Sequence, residues 1–107
     1  MSDVELSERV VEPGPAYGDG EPVRIRIRKR SRRYDIDDDG VAWAKAGASG
    51  RSALEAADHV VALEGFNVNR SGVVFVPAVE GRDIDALAAR IADCSLAVYS
   101  ELLELSG

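Results

Sequence analysis

Between Val23 and Gly40 the chain reads V-R-I-R-I-R-K-R-S-R-R-Y-D-I-D-D-D-G, and this stretch restricts the fold more than any other. Arginine takes every second position from Arg24 to Arg30, and aspartate every second position from Asp35 to Asp39. Val23, Ile25, Ile27, Tyr34 and Ile36 fall on the opposite parity. Side chains along a strand alternate between faces, so the pattern predicts two antiparallel strands with one apolar face and one charged face. A turn centred on Ser31 and Arg32 sets Ile27 against Ile36 and Lys29 against Tyr34 on the inner side. On the outer side it sets Arg28 against Asp35, Arg26 against Asp37 and Arg24 against Asp39. Opposed charges in such pairs contribute about 0.2–1 kcal/mol each. A slip of one residue would spoil the charges and the apolar face together. The turn lacks the Gly or Asn that two-residue hairpin loops prefer, so a four-residue connection is the expected form.

The flanking sequence predicts the remaining elements. Residues Met1 to Glu12 suit a short helix, and the Pro- and Gly-rich run Pro13–Pro22 breaks it. This gives a flexible or short-helical segment over 1–21 and a single domain over 22–107. Asp38 or Asp39 is the expected N-cap of a helix over Val41–Ala46, stopped by Gly47. Ser52 and Glu55 match a capping box for a second helix, with Leu54, Ala57, Val60 and Val61 as its buried stripe and Gly65 at its end. Phe66 and Val68 alternate with Asn67 and Asn69, a third strand. After the turn Arg70-Ser71-Gly72, Val73–Val76 is apolar at every position, which suggests a fourth strand covered on both faces. A last helix runs from Ile84 to about Leu105, with one apolar seam through Ile84, Leu87, Ile91, Cys94, Val98, Leu102 and Leu105. A second seam runs through Ala88, Ala92, Leu96, Tyr99 and Leu103. The expected architecture is therefore α+β. It has a four-stranded, mainly antiparallel sheet in the order β-β-α-α-β-β-α, helices on one face and a long C-terminal helix.

With 107 residues the chain is the size of one domain. Its net charge of -6 argues against non-specific attachment to nucleic acid or anionic membrane. One cysteine, Cys94, fits a reducing compartment. No apolar run is long enough to span a bilayer, and the N-terminus does not read as a signal peptide, so a cytoplasmic location is expected.

Asp35-x-Asp37-x-Asp39-Gly40 matches the first half of a calcium loop, but Ala46 stands where the bidentate glutamate belongs and a strand, not a helix, precedes it. The arginine row resembles a phosphate-gripping surface, yet its aspartate neighbours neutralise most of it and aromatics for base stacking are missing. What is left is the hairpin tip, where Arg30, Arg32 and Arg33 can contact an anion or nucleic acid, a disfavoured but open partner. His59 and Cys94 have no partner spacing for a metal or nucleophile. Asp58-His59 adjacency on a helix does not face the two side chains together. Trp43 reads as packing, and Gly47–Ser52 is a weak anion loop. No catalytic residue, metal or cofactor is expected. The last helix is apolar over a wider arc than one sheet needs, which points to a dimer interface at Leu96, Tyr99, Leu102 and Leu103.

The run Arg33-Tyr34-Asp35-Ile36-Asp37-Asp38-Asp39-Gly40 resembles a family of uncharacterised bacterial and phage domains, whose pattern is a strand, then Y-x-L-T-D-D-G, then a helix. Asp37 stands where that family has threonine. The resemblance extends through Gly65-Phe66-Asn67-Val68, a hairpin and a long last helix, over about residues 20–105. It implies the α+β layout and carries no catalytic residue across. The expectation is a non-enzymatic protein-interaction module, homodimeric through its last helix, with a nucleic-acid-associated accessory role as the alternative.

Overall fold

The computed structural model describes residues 8–106. Its centre is the predicted hairpin. Strands β2 (Ile25–Arg30) and β3 (Arg33–Asp37) pair antiparallel, with Ile27 opposite Ile36, Lys29 opposite Tyr34, Arg28 opposite Asp35 and Arg26 opposite Asp37. The register is the one that charge and apolar pattern both require. The loop departs from expectation. Arg30 pairs directly with Arg33, leaving only Ser31 and Arg32 to turn the chain. Ser31 achieves this at a φ of 58°, in the left-handed region, which costs a residue other than glycine about 1 kcal/mol.

Among the described residues five strands form the sheet where four were expected. Strand β1 (Glu8–Val11) lies antiparallel on β2, with Glu8 opposite Arg28 and Val10 opposite Arg26. A helix was anticipated over this stretch, and residues 1–7 of it lie outside those described. Four residues are too few for a period of two to be told from a helical one, and the unpaired edge of β2 settles the matter by offering hydrogen bonds. Beyond α1 (Val41–Ala46) and α2 (Gly50–Leu63) come the two-residue strand β4 (Asn67–Val68) and the strand β5 (Val74–Val79). The spatial order is β1-β2-β3-β5-β4, all neighbours antiparallel. Strand β5 runs through Pro77, which has no amide to donate. The register between β3 and β5 shifts at that point, so that Ile36 meets Val76 but Tyr34 meets Val79.

After a 3-10 turn at Gly81–Asp83, the helix α3 (Ile84–Ser106) spans about 34 Å and covers the inner face of the sheet. Ile25, Ile27, Ile36 and Val74 from the strands meet Ala88, Ile91, Ala92, Val98 and Leu102 of α3 in one core. Each fully buried isoleucine or valine contributes about 1.5–3 kcal/mol. Ala42 of α1 and Ala53, Ala57 and Val61 of α2 complete it. The capping box is not used: α2 starts at Gly50, and its N-cap Ser49 makes no side-chain bond. The buried stripe of α2 accordingly runs through Ala53, with Leu54 and Val60 only partly covered.

The Pro- and Gly-rich run is built into the same core. Tyr17 is 2% exposed, Tyr17 N–H donates to the Glu21 carbonyl and Gly20 N–H to the Tyr17 carbonyl. Ala16 bridges to Pro22. Residues 8–21 thus supply an edge strand and a core aromatic to the domain that follows them.

At the β4–β5 turn, Asn69 Oδ1 accepts from the amides of Ser71 and Val73, and Gly72 (φ +82°) lies under the Trp43 ring. A Cβ at Gly72 would fall 2.2 Å from Trp43 Cγ. Gly72→Ala is therefore expected to cost about 2–3 kcal/mol, through backbone strain and the displaced ring together. Urea unfolding followed by the emission of Trp43, the only tryptophan, reports both the loss and a shifted native spectrum.

Candidate functional site

The three aspartates that end β3 do three different jobs. Asp37 is buried on the charged face, where Arg26 Nε donates to it at 3.1 Å and Arg28 reaches it at 3.4 Å. It also accepts the amide of Asp39 at 2.8 Å. Exposed Asp39 takes the second contact of Arg26, at 3.1 Å. Asp39 (φ 59°) and Gly40 (φ 73°) both turn left-handed, and Val41 N–H closes the turn on the Asp38 carbonyl. That Asp-Gly geometry is what lets a strand reverse directly into α1. Gly40 is the N-cap of α1, without any side-chain cap, so neither Asp38 nor Asp39 fills the role expected of it.

Asp38 points inward and is 0% exposed. Its Oδ1 accepts the amides of Gly40 at 2.8 Å and Val74 at 3.0 Å, and its Oδ2 accepts the Ser95 hydroxyl of α3 at 2.7 Å. Because the one hydroxyl proton of Ser95 is committed to Asp38, the Tyr17 hydroxyl donates to Ser95 Oγ, 3.1 Å away. Tyr17 stacks edge-on against Tyr99, with 5.2 Å between centroids. The Lys45 ammonium sits 5.4 Å from the centroid of the Tyr17 ring and pairs with Asp19 and Glu21. Those two carboxylates hold the Lys45 proton more firmly than usual. Burial pushes the Asp38 carboxyl up, against the Ser95, Gly40 and Val74 hydrogen bonds that pull it down. Burial likewise raises the Tyr17 hydroxyl. Among the described residues no buried side-chain nitrogen or oxygen lacks a partner.

Arg26 pairs with Asp37 directly opposite it, as expected, whereas the other ion pairs of the outer face leave direct opposition. Arg28 reaches Asp37 and Arg30 reaches Asp35 at 3.1 Å, while Arg24 turns to Glu12 at 2.9 Å instead of to Asp39. Long guanidinium arms on a twisted ladder meet diagonal neighbours as readily as opposite ones. The alternating carboxylates of the half calcium loop thus each face arginine. Among the described residues no group of three or more His, Cys, Asp or Glu stands where it would hold a metal. Phe75 and Pro77 of β5 and Asn69 border this face, around a shallow hollow of about 230 Å³.

At the hairpin tip Lys29, Arg30, Arg32 and Arg33 are all exposed. The structure brings Arg30 and Arg33 together as a cross-strand pair, with Arg32 in the turn between them. At the other end of the molecule, the four residues expected at a dimer surface separate. Leu102 is 2% exposed and belongs to the core, and Leu96 and Tyr99 pack partly against it. Leu103 is 43% exposed, and Leu105, assigned to a seam from the sequence, is 50% exposed. Leu105 and Leu102 line a hollow of about 240 Å³ with Gly47, Ala48, Ser49, Ser52 and Ala53. His59 and Asp58 are exposed on α2, and Cys94 is buried, its thiol pushed up to about 11 chiefly by burial.

Sequence reasoning missed the Tyr17–Ser95–Asp38 chain. Its one visible signal was Ser95, a hydroxyl in register with Ile91, Val98 and Leu102 on the buried side of α3. Its partners lie 57 and 78 residues away. Among the described residues no helix is long and apolar enough to cross a membrane. No protein-family model, no curated protein and no solved structure matches this chain.

The buried carboxyl predicts a pH signature. Its folded pKa lies above the ordinary 3.8, so the folded protein holds that proton more tightly than the unfolded chain. The stability it contributes is complete below 3.8 and is lost as pH rises through the folded value. Asp38→Asn keeps the amide-accepting oxygen and should flatten this decline while staying within about 1 kcal/mol of wild type at its best pH. Asp38→Ala strands two amides and a hydroxyl and should lose about 2–4 kcal/mol. Urea midpoints between pH 3 and 8 distinguish the three proteins.

Proposed function

We propose that this chain is a non-catalytic interaction module that forms a homodimer through the C-terminal end of α3. The supporting observation is the apolar surface left there. Leu103 and Leu105 are 43% and 50% exposed, and Leu105 lines a hollow of about 240 Å³ between α3 and the loop joining α1 to α2. A water-exposed leucine, Leu105, at the mouth of a concavity lined by Ala48, Ala53 and Leu102 suits a self-complementary contact, in which each copy lends the leucine that fills the hollow of the other and Leu103 widens the apolar surface around it. The helix also has no basic residue in its last turn, while Glu101 and Glu104 are exposed on it, so the contact is apolar at its centre and acidic at its rim. Like charges at such a rim make association stronger as salt rises. A buried thiol as the only cysteine suits a reducing, cytoplasmic setting.

Sedimentation equilibrium at tens of micromolar should give a dimer, tightened by added salt. The double variant Leu103→Glu/Leu105→Glu should sediment as a monomer with an unchanged far-UV spectrum. Leu63, 74% exposed at the end of α2, provides the control: Leu63→Glu should leave the dimer intact. A wild-type monomer at these concentrations would remove the reading.

A further inference from the structure

Two local costs coincide at the hairpin tip. Arg30 and Arg33 stand directly opposite each other across the strand pair, where like charges repel, and Ser31 turns the chain at a positive φ that glycine or asparagine would adopt with less strain. Cations occupy five of the six positions from Arg28 to Arg33, in a chain whose net charge is -6. Elsewhere on the hairpin arginines are matched by carboxylates: Arg24 by Glu12, and Arg26 and Arg28 by Asp37. At the tip, Arg30 meets Asp35, but Lys29 and Arg32 form no ion pair among the described residues. A place where local rules are broken without a gain in packing is where a ligand is expected to supply the gain.

We propose that this tip is a docking surface for the phosphodiester backbone of duplex nucleic acid, a role beyond the self-association argued above. Three features select that partner. The basic side chains leave the ribbon on both faces, Arg30 and Arg33 on the outer side and Lys29 on the inner, with Arg32 at the turn. A flat acidic protein patch meets one face of a ribbon, whereas the two phosphate walls of a major groove, which admits a two-stranded ribbon, meet both. Four of the five cations are arginines, whose planar forks match phosphate oxygens in pairs. The tip carries no aromatic or apolar side chain. Single strands are usually gripped by stacking on aromatics, and membranes by inserting apolar groups. The nearest ring, Tyr34, faces inward and packs beside Gly81, where even a Cβ would come within 2.7 Å of it. The acidic body keeps the rest of the molecule off the duplex, so the contact is short and blind to sequence.

Fluorescence anisotropy with a labelled 20-base-pair DNA duplex tests this. About three phosphate contacts imply a slope near -2.7 in log affinity against log salt, hence binding about 500-fold weaker at 200 mM than at 20 mM salt. Two duplexes of unrelated sequence should bind alike. Lys29→Glu/Arg32→Glu should weaken binding at least 30-fold at 20 mM salt and flatten the slope. Arg51→Glu/Arg70→Glu, which makes the same change in net charge at exposed arginines away from the tip, should weaken it less than threefold. Both variants touch only exposed side chains, and thermal unfolding verifies their folds. The absence of binding at 20 mM salt, or equal losses in the two variants, would overturn the proposal. So would tip-dependent binding that is tighter to polyglutamate, to a single-stranded oligonucleotide or to phosphatidylcholine vesicles containing about 30% phosphatidylserine. The Leu103→Glu/Leu105→Glu monomer, assayed alongside, separates this result from the fate of the dimer: it retains the tip and should still bind.

Discussion

A carboxyl group sealed from water at the end of β3 ties together four stretches of chain that are remote in sequence. Asp38 bonds the start of α1 through Gly40 and the start of β5 through Val74, and through Ser95 it reaches α3 and Tyr17. The Asp38 amide also donates to the Val74 carbonyl, so side chain and backbone together extend the ladder one step beyond the strand. A polar group in such a place is costly unless every bond is made. The network therefore rewards only the arrangement in which sheet, long helix and N-terminal segment are all docked, and penalises any partial assembly with unmet hydrogen bonds.

Around that anchor the hairpin is specified twice over. Its inner face fixes the register by apolar matching at Ile27 and Ile36, and its outer face fixes the same register by charge. Asp37 is the joint between the two systems. It lies on the charged side yet is nearly as hidden as its neighbour, roofed by Arg26 and Arg28. The guanidiniums satisfy it electrostatically and their aliphatic stems keep water from it. Arg26 and Arg28 are given to this structural work, whereas Lys29, Arg30, Arg32 and Arg33 gather at the turn.

What was legible in the chain was whatever depended on neighbours in sequence. The hairpin pairs, the span of α1 with its terminal Gly47, and the start of α3 at Ile84 all follow from local periodicity and punctuation. The tight loop was not, because its strain at Ser31 is imposed by strands that already agree on their register. Nor was β1, whose four residues acquire a conformation only from the edge they join. Ser52 and Glu55 look like a cap but sit one turn too late, since the left-handed Gly47 and Gly50 (φ 65° and 88°) bring the chain back into a helix earlier. Tyr17 lay in a segment whose composition reads as loose, and its burial rests on Ser95, 78 residues on. Apolar seams on α3 marked a helix with more than one covered face, but not which leucines the protein itself would cover.

The far side of the sheet has its own logic. Strand β4 offers only Asn67 and Val68, and β5 extends past it to Pro77, a position with no amide hydrogen. A sheet margin ordinarily presents a regular row of donors and acceptors that another extended chain can copy. Here the row is two residues long and is then interrupted by an imino acid and a kink in the ladder. Fibrillar growth by strand addition has no foothold on this border, so the molecule can keep concentrated apolar strands in its interior without offering that border as a seed for stacking.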